Sequence, residues 1–276
     1  MLLDPVSPAQ YVDYRYSPTE STVGELFGTE SFCHFLYSLV RMDRPRVFLE
    51  LGCGGGATTL MVSKALCENR HGHCWTVDNG SDWKVERVRQ TCQRPLGDIQ
   101  DDETYEAFIR RLLKTFGVSE MATLVQMNLD ESTFFVPAPD APIDMLFADA
   151  TPSHVEGCLA LLKYYLPRVS SFSSIFIDRA GTINHSFLFL KYVIGQLNAG
   201  KIPMHLLRGL DEQQQIAMEY LVKTCEFQLI NLTESKHGKR NRMQNSRAWI
   251  KIQPVDYVPH NEVVSFRSIT GPWETE

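Results

Sequence analysis

Val47 to Leu60 reads VFLELGCGGGATTL: an apolar run with Glu50 near its end, then Gly52, Gly54, Gly55 and Gly56 within five positions. A short apolar run closed by glycine has the pattern of a buried strand, and "ATTLMVSKAL" behind it has helical spacing at Leu60, Met61, Ala65 and Leu66. Glycine loses more freedom on folding than any other residue, so four of them in one loop imply that something approaches the main chain there. In open parallel sheets ligands bind beyond the carboxyl ends of the strands, where this loop falls. The N–H groups that open the following helix would then face a negative group. Glu50, Gly52, Cys53, Gly54, Gly56 and Thr58 are the residues expected to meet the ligand.

Working outward, strand and helix signals alternate. "CWTVD" (74–78), "TLVQM" (123–127), "PIDMLFADA" (142–150) and "SIFID" (174–178) read as strands. "YEAFIRRLLKTFG" (105–117) reads as a helix ended by glycine, and "SHVEGCLALLKYYL" (153–166) as one opened by a Ser153–Glu156 capping box. Continuous apolar strands separated by helices predict a parallel sheet covered on both faces. "CEFQLINL" (225–232) and "RAWIKI" (247–252) have only a polar loop between them, so they are expected to pair antiparallel. The expected fold is therefore α/β, a Rossmann-like seven-stranded mostly parallel sheet with helices on both faces and a C-terminal antiparallel hairpin. Residues 1–45 read as an N-terminal helical cap with an amphipathic helix near 31–42, 46–253 as the ligand-binding domain, and 254–276 as a tail. The link 79–104 is long enough for a lid.

Composition narrows the class. The chain has 276 residues, 43% of them hydrophobic and 22% charged, the proportions of a globular protein. A net charge of -6 gives no general attraction to nucleic acid or anionic membrane. "MLLDPVSPAQ" lacks the basic region and apolar core of a signal peptide, and no apolar run is long enough to span a bilayer. The seven cysteines form no C-x-x-C pair and read as reduced thiols of a cytoplasmic protein. "HGHC" (71–74) lacks a second ligand pair and reads as a turn rather than a zinc site. "KHGKR" (236–240) reads as a solvated hairpin tip.

The loop lacks the lysine of a phosphate-binding Walker motif. Gly52, Gly54 and Ala57 satisfy G-x-G-x-x-A, with Asp78 at the end of the second strand, so a nicotinamide dinucleotide is one reading. Glu50 favours another, because a carboxylate there repels pyrophosphate and attracts an ammonium, directly or through water. A ligand with an amino-acid end and a ribose end fits both acids, and S-adenosylmethionine has that layout.

"ELGCGGG" resembles the E/D-x-G-x-G-x-G motif of class I S-adenosylmethionine-dependent methyltransferases, "VDNG" their acidic ribose site, and "DMLFADA" their fourth-strand motif. The block 143–180 is similar to that of small-molecule O-methyltransferases, the catechol-type and sugar-modifying enzymes among them. The resemblance implies S-adenosyl-L-methionine as cofactor and a small-molecule acceptor methylated at a hydroxyl, with nitrogen and carbon as alternative atoms and an inactive binding protein as a further alternative. Neither a nucleic acid nor a membrane is expected as partner, and the family admits a homodimer. Asp78 and Asn79 would hold the ribose, Asn128 and Leu129 the adenine, and Asp149 the cofactor's reactive end. Trp83 would cover the adenine, belong to a lid, or stand as a core or interface aromatic.

Catalytic candidates lie where the fourth and fifth strands end: Asp149, His154 as a base titrating near neutrality, and Arg179 for an acceptor oxyanion. His185 and His34 are lesser candidates. Relatives of the catechol type bind magnesium through acids that match Asp149 and Asp178. Arg179 follows where a third oxygen ligand would stand, so loss of Mg2+ is the expectation.

Overall fold

The computed structural model describes residues 7–13, 22–27, 29–97, 99–129, 134–137, 141–150, 154–181, 184–233 and 246–255. Ser153 and the segment 236–240 lie outside the described residues.

Seven strands form one sheet: β1 (Val47–Leu51), β2 (His73–Asp78), β3 (Ala122–Gln126), β4 (Ile143–Ala148), β5 (Val169–Asp178), β6 (Cys225–Thr233) and β7 (Ser246–Pro254), in the order β3-β2-β1-β4-β5-β7-β6. The first five run parallel, and β7 pairs antiparallel with both β5 and β6. This is the expected architecture. β5 begins earlier than its apolar run because Val169 pairs with Ile143 across a register shift.

Strand alternation divides the core in two. Phe48, Cys74, Met145, Phe147 and Phe176 face α3 (Glu30–Asp43), α4 (Ala57–Asn69) and α6 (Tyr105–Thr115). Leu49, Leu51, Leu146, Ala148, Ile175 and Ile177 face α7 (Val155–Tyr165), α8 (Asn184–Asn198) and α10 (Glu212–Thr224). α6 is capped by Thr104, whose hydroxyl accepts from the Ala107 N–H, and α10 by an Asp211–Gln214 capping box. Two short helices precede α3, α1 (Pro8–Val12) and α2 (Val23–Phe27); α5 (Glu86–Gln93) and α9 (Met204–Leu207) complete the set among the described residues.

The described residues of the segment 79–104 carry α5 and two contacts to α6. Trp83 stacks on Phe108 with ring centroids 4.4 Å apart and donates to the Glu103 carbonyl at 2.8 Å. Arg111 binds both oxygens of Glu103 at 2.7 Å, fixing the far end of the segment to α6. Trp83 is buried in the core.

Candidate active site

The strand order reverses between β1 and β4, and the cavity lies beyond their carboxyl ends, as the topology requires. Main-chain bonds set its floor: the Asp149 and Ala150 N–H groups donate to the Leu51 carbonyl at 2.7 and 2.8 Å. The cavity measures about 420 Å³, within the range of small-molecule sites. Gly52, Gly54, Asp78, Asn79, Met127 and Leu129 line one part; Leu26, Phe27, Asp149, Ala150, Asp178 and Arg179 line the rest, with Ser81 and Asp82 at the margin.

The glycines answer first to packing. A methyl group on Gly52 would lie 2.7 Å from the Ala150 nitrogen, and one on Gly54, where φ is +52, 2.9 Å from the Phe27 ring. On Gly55 it would lie 2.4 Å from Val23 and on Gly56 2.5 Å from Leu112. Protein, rather than a ligand alone, makes the close approach. The N-terminal helices cover the loop further through Tyr11, which donates to the Gly55 carbonyl at 2.8 Å. The case for a ligand thus rests on the cavity and not on the number of glycines.

Asp78 is the clamp of the loop. Its Oδ2 accepts from the N–H groups of Cys53 and Gly54 at 2.8 and 2.9 Å, and its Oδ1 from Gly80 N–H at 2.6 Å. Those two loop amides are turned to Asp78 and not toward a ligand carboxylate. Oδ2 is filled by its two loop amides, whereas Oδ1, with one donor, keeps acceptor capacity, and the residue forms part of the cavity wall.

Glu50 stands behind the loop. It is fully buried, and its Oε2 accepts from Thr76, its cross-strand neighbour, at 2.6 Å and from Thr59 of α4. Its Oε1 has no hydrogen-bond partner. Burial, more than the nearby charge of Asp78, pushes the carboxyl up to about 7. Direct contact with a ligand ammonium is therefore corrected: Glu50 does not reach the cavity.

Several other expected residues also stand off. Thr58 faces Cys33 at 3.6 Å under α3, Cys53 is buried with its sulfur 3.2 Å from Thr59, and Gly56 is the left-handed N-cap of α4. Asn128 is exposed and accepts from Asn79, so it acts on the wall at one remove. His154 is the exposed N-cap of α7, its Nε2 3.9 Å from Glu156, and does not line the cavity. His34 pairs with the buried Asp13 at 3.1 Å, and His185 is exposed in the first turn of α8.

Asp149 and Asp178 do come together. Alternation puts them on the same sheet face as Phe147 and Phe176, Asp149 just past the end of β4 and Asp178 at the last position of β5. Burial first, then the charge of Asp178 and a hydrogen bond with it, raise the Asp149 carboxyl to about 8. Arg179, in a left-handed conformation (φ 60), places its Nε 3.2 Å from Asp178 Oδ2. Arg247 of β7, which the sequence did not single out, places its Nε 3.0 Å from Asp178 Oδ1. Its signal was the alternation of "RAWIKI", which sets Arg247 on the face of Trp249. These residues do not fit a magnesium ion: a hard dication needs an oxygen shell, and both oxygens of Asp178 are beside guanidinium groups. Among the described residues no cluster of three or more His, Cys, Asp or Glu side chains gathers to hold a metal, at 71–74 or elsewhere.

Residues 49–179 match the family model described as a methyltransferase domain. A search of the curated proteins finds no match. Among solved structures, the chain is similar to the O-methyltransferase TomG from Streptomyces achromogenes, involved in tomaymycin synthesis and crystallised with S-adenosylmethionine (14% identity, 92% of each chain covered, TM-score 0.46). It is also similar to an O-methyltransferase from Bacillus cereus with S-adenosylhomocysteine (13% identity, 91% of this chain and 92% of that one, TM-score 0.43). A methyltransferase from Podospora anserina with S-adenosylhomocysteine bound is a third (11% identity, 88% and 83% covered, TM-score 0.42). Likenesses this distant carry no argument, and the fold stands on the strand order above.

Proposed function

We propose that the protein transfers a methyl group from S-adenosylmethionine to a hydroxyl of a small molecule. The observation that carries this reading is the methyltransferase-domain match over 49–179, which spans the loop clamped by Asp78 and the cavity's acidic end. The cavity fits the cofactor: an acid with free acceptor capacity for ribose hydroxyls at Asp78, apolar Met127 and Leu129 beside it for a flat base, and Gly52 and Gly54 walls without side chains. Asn79, held by Asn128, extends the ribose wall. When bound, the cofactor supplies an electrophilic methyl group on a sulfonium.

The chain's own task is to hold the acceptor oxygen and take its proton. Asp149 is placed for the second role. Above about pH 8 its carboxylate accepts the hydroxyl proton at Oδ. Arg179, whose side chain is 47% exposed at the cavity, orients an acceptor oxyanion or carboxylate. Leu26 and Phe27 are the apolar wall against which the acceptor's body packs.

The chain's net charge of -6 supports a small molecule over a nucleic acid as acceptor. All seven cysteines are free, which supports a cytoplasmic location, and among the described residues no helix is long and apolar enough to cross a membrane. Calorimetry with S-adenosylmethionine, S-adenosylhomocysteine and NAD tests the cofactor. Binding of the first two is expected; NAD binding alone overturns the reading. Turnover with a panel of phenols, sugars and amines then tests the acceptor, and methylation confined to amines overturns the hydroxyl assignment.

A further inference from the structure

The acidic pair at the ends of β4 and β5 already has a cation. Asp178 and Arg247 are direct partners in the β5–β7 register, so their side chains leave the sheet on the same face. Arg247 is 1% exposed, and its guanidinium lies over the Phe32 ring at 4.4 Å. That ring is itself held by Phe147 and Phe176, with centroids 4.9 and 5.5 Å away. The guanidinium is therefore buried against an aromatic face. A buried charge without a counter-charge is strongly unfavourable, so Arg247 depends on Asp178 as much as Asp178 depends on it. Arg179 flanks the other oxygen of Asp178. With Asp149 keeping its proton below about pH 8, one carboxylate faces two guanidinium groups, and a divalent ion added there would be uncompensated.

We propose that Arg247 is the resident cation of this carboxylate pair, standing where a divalent ion would otherwise be held, so that Asp149 and Asp178 take no Mg2+. Arg247 is a positioning residue: it fixes Asp178, and Asp178 fixes Asp149. The consequence for methyl transfer, independence from divalent metal, rests on the methyltransferase reading; the exclusion of the ion does not.

The test is a titration of the metal-free full-length protein with Mn2+, followed by electron paramagnetic resonance. Wild type is expected to show no Mn2+ site that depends on Asp178. Arg247→Met keeps an apolar stem against Phe32 and removes the charge, so it should gain a single site on the order of 100-fold tighter than any in wild type. Arg247→Met combined with Asp178→Asn should lose that site again. A wild-type Mn2+ site abolished by Asp178→Asn overturns the proposal. So does an Arg247→Met protein with a wild-type circular dichroism spectrum and no gain in Mn2+ affinity. If Arg247→Met does not fold, the wild-type titration still decides, and Arg247→Gln, whose amide retains a donor for Asp178, replaces it. Calorimetry with S-adenosylmethionine on the same wild-type samples reads the methyltransferase assignment separately: no heat there sinks that assignment and leaves the Mn2+ result interpretable.

Discussion

Replacing Glu50 by glutamine should change how stability depends on pH. In the folded protein burial holds the Glu50 carboxyl near 7, against an ordinary value of 4.5. Below the ordinary value both folded and unfolded chains keep the proton. Between the two values the unfolded chain has released it and the folded chain has not, so raising the pH favours unfolding. Above about 7 both forms are ionised and the loss is complete. The size of that loss is about 3 kcal/mol, on the order of a third of a typical domain's stability. The glutamine side chain of the variant has nothing to titrate, and its carbonyl can accept from Thr59 and Thr76 as Glu50 does. Its amide NH2 inherits the place of the unpartnered Oε1, a cost of about 1–3 kcal/mol at every pH. In acid the variant is therefore equal to or weaker than wild type, and it gains on wild type as the pH rises to about 8. Urea unfolding followed by tryptophan fluorescence from about pH 4.5 to 8 measures this, and groups common to both proteins cancel in the difference. A difference that stays flat across that range, or shrinks as pH rises, refutes the reasoning.

Asp78→Ala removes the acceptor for three backbone N–H groups and for the proposed ribose hydroxyls. Calorimetry should show S-adenosylmethionine affinity reduced on the order of 10- to 100-fold. Gly54→Ala places a methyl against Phe27 at a left-handed position and should destabilise the fold by about 1–3 kcal/mol in urea; adding Phe27→Ala should not restore the backbone part of that loss. If Asp149 is the base, kcat/KM rises with pH through about 8, and Asp149→Asn flattens the profile as well as lowering it.

The alternation of apolar strands with helices made the parallel sheet legible, and the absence of a helix between 232 and 247 made the hairpin so. Five residues, "VGELF", are too few to show a helical period, so α2 was invisible although it covers the glycine loop. α8, α9 and α10 lie between residues 184 and 224, where no motif anchors a reading. Of the positions named from the sequence, Asp78, Asp149, Asp178 and Arg179 line the cavity. What single positions do not reveal is which partners they meet. Arg247 finds Asp178 only through the register of β7 on β5, a long-range relation set by the whole sheet. Glu50 shows the opposite case, an acid whose place in a motif suggested contact and whose burial denies it.

The turn formed by Gly54 and Gly55 has a consequence for how the chain comes apart. Tyr11 and Phe27, which close over it, precede the first strand, whereas Asp78, which grips it from below, ends the second. A break drawn before residue 46 would strip that turn of its cover and return the Gly55 carbonyl to water. Residues 7–13 and 53–56 thus belong to one cooperative unit. Their amides should exchange with deuterium in a single opening event, shared with the central strands.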